Sequence, residues 1–224
     1  MEKKNEKYIP NIESRLRHTY IKVPKEIYKC SGISIFEKRI KSLLFSTDIA
    51  VIRNANADSV MAVYPFTPQI SISQSVISVS SVPCFIGVGG GTTTGLRTIY
   101  MSLQAELMGA YGVVVNSPIK DDIISKISEL IDIPVIATIS SFKDDYKSKY
   151  EAGAKILNVS AAMDTPKLVK QIRKDMGDEI AIIATGGKTT ESIQETVDSG
   201  ANAITYTPPS SAEVFKEMME KYRK

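Results

Sequence analysis

Short apolar runs alternate with amphipathic stretches along most of this chain, and the alternation repeats as a unit. Apolar runs at 59–64, 84–88, 112–116, 135–139, 155–159, 180–184 and 202–206 read as strands. Between and after them, apolar residues at helical spacing predict helices near 68–80, 94–109, 120–132, 143–152, 166–176, 189–199 and 211–222. The run at 48–53 predicts one more strand, joined to the next by a connection too short for a full helix. Upstream, Ile33, Phe36, Ile40, Leu43 and Leu44 fall at helical spacing, and Ser34 with Glu37 matches a capping box, so 34–44 reads as a helix.

The repeat carries its own punctuation. Gly109, Gly153 and Gly200 each end a helix just before a strand, and Pro83 and Pro134 do the same by refusing a helical backbone. Repeated βα units require a parallel sheet with right-handed crossovers. Eight strands predict the α/β class and closure into a (β/α)8 TIM barrel with an N-terminal helical extension. We divide the chain into an extension, 1–31, and a barrel domain, 32–224. Were the strand at 48–53 absent, an open doubly wound sheet would be the alternative. Tyr8, Ile9, Leu16, Tyr20, Ile21, Val23, Ile27 and Tyr28 make the extension apolar enough to pack on one barrel end or on a neighbouring copy, so a homo-oligomer is expected.

The best-formed unit spans 180–206. An unbroken apolar strand, Ile180 to Ala184, meets Gly186-Gly187, and Thr189 or Thr190 caps the helix that follows. A glycine turn opening a helix presents bare N–H groups and the positive end of a dipole, an anion site in waiting. Gly186, Gly187, Lys188 and Thr189 are therefore candidate anion contacts. A second glycine loop, Gly87 to Gly95, contributes Gly89, Gly90, Gly91 and Thr92, where backbone can approach a ligand closely. It fits neither the Walker nor the dinucleotide pattern, and no cofactor is expected.

Function in such barrels sits at the C-terminal ends of the strands. Those ends supply Arg53 and Lys188 as cations for an anionic substrate, and Tyr64 to orient a ligand or act as a weak acid. Lys188, Tyr64 and Arg53 are the catalytic candidates. Asn116 and Asn158 occupy equivalent strand ends, where an amide can bond ligand hydroxyls or its own turn. The lone histidine, His18, lies ahead of the barrel, and no paired carboxylates or metal spacing stand out, so no metal is expected.

Thr185-Gly-Gly-Lys-Thr-Thr190 with the strand after it resembles the phosphate-binding TIM-barrel superfamily of aldolases, epimerases and isomerases of phosphosugars. That resemblance implies a phosphate gripped by Gly186, Gly187 and Lys188. The second half of the family's grip departs here, since Thr207-Pro-Pro-Ser210 replaces a glycine-containing pair and lacks N–H donors at Pro208 and Pro209. Two functions follow, beside a third reading as a structural component of an oligomer. One is an enzyme acting on a small phosphorylated or carboxylated metabolite, by lyase, isomerase/epimerase or hydrolase chemistry. The other is a non-catalytic regulatory barrel resembling the glycerol antiterminator regulators.

Charge changes this picture little. The net charge is +3, and the first 43 residues hold 11 Lys or Arg against 5 Glu. Lys and Glu are interspersed without a dense basic run, which argues against a nucleic-acid partner and reads as a solvated arm and lid; the expected partner, from the strand-end cations and the glycine turn, is a small anionic metabolite. No apolar run approaches the ~20 residues of a membrane span, and the N-terminus lacks a signal-peptide core. A cytoplasmic protein with two incidental free thiols, Cys30 and Cys84, is expected.

Overall fold

The computed structural model describes residues 8–12, 14 and 19–223; His18 and Leu16 lie outside them. Eight parallel strands close into a barrel: β3 (Ser42–Phe45), β4 (Ser59–Ala62), β5 (Cys84–Gly89), β6 (Gly112–Val115), β7 (Val135–Ile139), β8 (Ile156–Val159), β9 (Ala181–Thr185) and β10 (Ala203–Tyr206). β10 pairs with β3 to seal it. Around it run α1 (Ile49–Arg53), α2 (Ile70–Val79), α3 (Leu96–Leu107), α4 (Asp121–Leu130), α5 (Tyr146–Glu151), α6 (Thr165–Met176), α7 (Thr190–Asp198) and α8 (Ser211–Tyr222). Ahead of them lie a 3-10 turn, Lys25–Lys29, and a hairpin of β1 (Ile33–Ile35) and β2 (Lys38–Ile40).

The barrel and the later units are as the periodicity predicts; the first unit is not. The stretch 34–44 is no helix. It forms the hairpin and then β3, and 48–53 is helix α1 rather than a strand. Asp48 decides the second point, because its carboxylate accepts from the N–H groups of Ala50 and Val51 and starts a helix in an apolar run. Asp58 anchors β3 by accepting from the N–H groups of Lys41 and Ser42 at 2.9 and 3.0 Å.

Two apolar cores result. The outer one lies between strands and helices, and Ile21, Val23, Ile27 and Cys30 from the leading segment join it. The 3-10 turn that carries Ile27 packs against α7. The inner core fills the barrel with Leu43, Met61, Phe85, Val114, Ile136, Ile156 and Ile183. Ile35 and Ile40 of the hairpin belong to that inner core. With Phe36 edge-on to Tyr111 at 5.4 Å, they stopper the N-terminal end of the barrel. No helix among the described residues is long and apolar enough to cross a membrane.

Candidate functional site at the barrel mouth

Side chains inside such a barrel form layers of four, drawn from alternate strands because the sheet closes with a shear of about 8. Following the strand pairings upward from the inner core places Met61, Val114, Asn158 and Thr205 in one layer. Phe45, Gly87, Thr138 and Thr185 lie above it, and Val63, Asn116, Ser160 and Thr207 form the rim. The mouth therefore has two unlike halves. The wall from β3 to β6 is apolar or bare except for Asn116 at the rim, and the wall from β7 to β10 is lined by hydroxyls and one amide.

The bare half is made by glycine. Gly87 and Gly89 leave two successive places on β5 without a side chain, and a register shift separates them. A cavity of about 60 Å³ opens there, lined by Val63, Tyr64, Gly87, Gly89, Gly91 and Asn116. Gly89 and Gly90 are demanded by packing. Their φ values are +135° and +107°, and a Cβ on Gly90 would come within 2.6 Å of the Asn116 nitrogen. Gly91 has no such reason, since a Cβ there would meet nothing within 4 Å. Asn116 donates its N–H to Gly89 O at 2.9 Å, which ties the glycine loop to β6. The Tyr64 hydroxyl accepts from Gln69 N–H at 2.9 Å, which leaves the phenolic proton for a ligand.

In the polar half, Asn158 Nδ2 donates to Thr138 Oγ1 at 3.3 Å, and Thr185 Oγ1 donates to Ser160 Oγ at 3.1 Å. Asn158 and Thr205 are buried. Thr138 and Thr205 are not among the residues that the sequence singles out. Their signal is an alternation within the strand: a polar residue two places after an inward apolar one, as in Ile136-Ala-Thr138 and Ala203-Ile-Thr205.

A rim carboxylate is also missed by the sequence reading. Asp144, in the loop after β7, accepts from Ser117 Oγ, Ser140 N–H, Ser140 Oγ and Ser141 N–H. Burial works to raise its pKa, but these donors hold the carboxyl below its ordinary range.

The other candidates separate. Arg53 ends α1, and helices of this fold run opposite to the strands, so it sits at the N-terminal face. There it donates to Val79 O at the end of α2, at 3.1 Å. Its assignment to the mouth rested on the misplaced strand. Lys188 is exposed on the loop after β9, at the mouth side. Gly186 is packed against Ile204 and Ile193, and Gly187 has φ +80°. The first turn of α7 is already dressed. Thr189 and Ser192 form a reciprocal capping box, and the Glu191 carboxylate accepts from its own N–H and from the Thr189 hydroxyl, which lowers its pKa. An outside anion competes there with a resident one.

No family model matches the chain, and no curated protein matches it. Solved structures do. A phosphonopyruvate hydrolase superposes with TM-score 0.65 at 14% identity, covering 88% of this chain and 85% of the other. A 2,3-dimethylmalate lyase, described as a PEP mutase/isocitrate lyase superfamily member, gives 0.63 at 12%, covering 89% and 85%. A phosphoenolpyruvate phosphomutase from Streptomyces platensis subsp. rosaceus gives 0.60 at 13%, covering 81% and 80%. At these identities the likeness is one of fold. It supports a TIM-type barrel, and the superfamily named in it differs from the phosphate-binding one that the Gly186–Lys188 motif resembles.

A phosphonopyruvate hydrolase of this fold has also been solved with oxalate and Mg. Among the described residues no group of three or more His, Cys, Asp or Glu side chains stands together to hold a metal ion. At the mouth Asp144 takes its four donors on Oδ2, and Asp48 caps α1.

Proposed function

We propose that this chain is a barrel enzyme acting at its C-terminal mouth on a small phosphorylated or carboxylated metabolite, by lyase, mutase or hydrolase chemistry. One observation carries the reading: a polar wall, buried at Asn158 and Thr205, stands opposite a hollow kept open by glycine, at the end of the fold where ligands bind. The structural neighbours, described as a hydrolase, a lyase and a mutase of small acids, agree with that class.

In this reading the ligand's carbon skeleton lies against Val63, Met61 and Gly87. Asn116, the Gly91–Thr92 backbone and Tyr64 contact its polar groups, and Tyr64 holds the proton nearest the cavity. Lys188 attracts the anionic end from the rim. The Gly186–Thr189 turn contributes less than its motif suggests, because Glu191 already occupies its dipole.

A thermal-shift panel of phosphorylated and carboxylated metabolites, followed by turnover assays on the hits, tests this. Stabilisation with turnover is expected. Stabilisation without turnover would make the barrel a ligand-responsive module instead, and no stabilisation by any member would refute the anionic substrate.

A further inference from the structure

Two oxygens deep in the mouth have no hydrogen-bond partner among the described residues: Asn158 Oδ1 and Thr205 Oγ1. The residues are only 7% and 5% exposed. Buried polar atoms are almost always paired, because leaving water without a partner is costly, so each exception calls for a reason. These two exceptions share a layer of the barrel interior, on β8 and β10. The other places in that layer, Met61 and Val114, are apolar and fully buried. The bond from Asn158 Nδ2 to Thr138 Oγ1 turns the amide so that its oxygen is the atom left over.

We propose that this pair is a hydroxyl-recognising subsite. An alcohol of the ligand donates its proton to Asn158 Oδ1, and its oxygen accepts from the Thr205 hydroxyl. The pair offers one acceptor and one donor, which is the complement of an alcohol. A carboxylate or phosphate oxygen brings lone pairs only and would face the lone pairs of Asn158 Oδ1. An ammonium group would find no carboxylate in this layer or the one above. The inference rests on the mouth being the ligand site, and it narrows the substrate class to hydroxylated acids or hydroxylated phosphate esters. The alcohol goes deepest and the anionic end lies toward the rim.

The test uses matched probes on the full chain: malate against succinate, glycerol 3-phosphate against propyl phosphate, and uncharged glycerol. Calorimetry reads affinity, and the side-chain amide resonance of Asn158 reads location. Thr205→Val and Asn158→Leu remove the polar atoms while nearly keeping the shape. We expect the hydroxylated member of at least one pair to bind at least about tenfold tighter. That preference should vanish in Thr205→Val, and this variant should melt no lower than the parent, since it loses an unsatisfied polar atom.

If neither charged pair binds but glycerol still moves the Asn158 resonance, and Thr205→Val abolishes that movement, the anionic reading fails and the subsite stands. If the preference survives Thr205→Val, or if no hydroxylated probe moves the resonance, the subsite is overturned and the two oxygens hold only structural water. Should Asn158→Leu fail to fold, Thr205→Val decides alone.

Discussion

Ser117 donates its hydroxyl to Asp144 Oδ2 at 2.8 Å, joining the loop after β6 to the loop after β7. The same oxygen receives Ser140 N–H at 2.6 Å, Ser140 Oγ at 2.9 Å and Ser141 N–H at 3.2 Å. One carboxylate thus ties the two neighbouring loops of the mouth together.

Replacing Asp144 by Ala should cost about 1–3 kcal/mol in urea unfolding, the usual range for donors stranded by loss of a charged partner. The pH dependence follows from the sign of its shift. An unfolded aspartate titrates near ~3.9, and in the fold this one lies lower. Its contribution is therefore complete above the unfolded value and disappears as pH falls through the folded one. Asp144→Asn should flatten the loss of stability below about pH 4; an acid limb identical to the parent's would contradict the assignment.

Neighbouring glycines should behave oppositely. Gly90→Ala places a Cβ against the Asn116 backbone at a positive φ, and should lower stability by about 1–3 kcal/mol or more. Gly91→Ala meets nothing. It should leave the melting temperature unchanged and weaken ligand binding, because the loop backs the cavity. A binding-neutral Gly91→Ala would remove this loop from the site.

At the start of α7, Lys188→Ala should weaken inorganic phosphate binding by about two- to fivefold, and Glu191→Gln should strengthen it by a similar factor by freeing the helix dipole. A phosphate titration followed by NMR at amides 186–190 measures both. Shifts confined to other amides would place the anion elsewhere.

The thiols should be inert in the fold. Burial pushes Cys30 up to about 11, with nearby Lys41 opposing, and burial raises Cys84 as well. Alkylation needs the thiolate. Iodoacetamide at pH 8 should leave both unmodified until denaturant is added; rapid native labelling would show that one of them opens to solvent.

Much of the fold is legible in the sequence because each later unit states itself twice, once in an apolar strand and once in a glycine or proline stop. Gly109, Gly153 and Gly200 are all at positive φ, as helix-ending residues require. The first unit is illegible for a local reason. Phe36 and Glu37 adopt φ +46° and +66° in the two-residue hairpin turn, a conformation normally announced by Asn-Gly or Asp-Gly. With that signal missing, Ile33 to Leu44 imitates a helix, and Ile49-Ala-Val-Ile52, a single helical turn, imitates a strand. Read as the end of a strand, Arg53 points to the mouth; as the end of helix α1 it lies at the opposite face.

The site is legible in part. Its glycine loop and two of its amides stand out by residue type. The polar wall does not, because Thr138 and Thr205 look like ordinary β-branched strand residues until closure of the barrel turns them inward. Asp144 looks like any loop aspartate until three serines from two loops converge on it.

The hairpin stopper at the far end has a consequence for traffic. Ile35 and Ile40 close the lower opening, so the barrel is a cul-de-sac rather than a conduit. Whatever enters between the glycine loop and the hydroxyl wall must back out by the same doorway. Departure and arrival then compete for one threshold, and a second molecule cannot enter from behind to push the first one out.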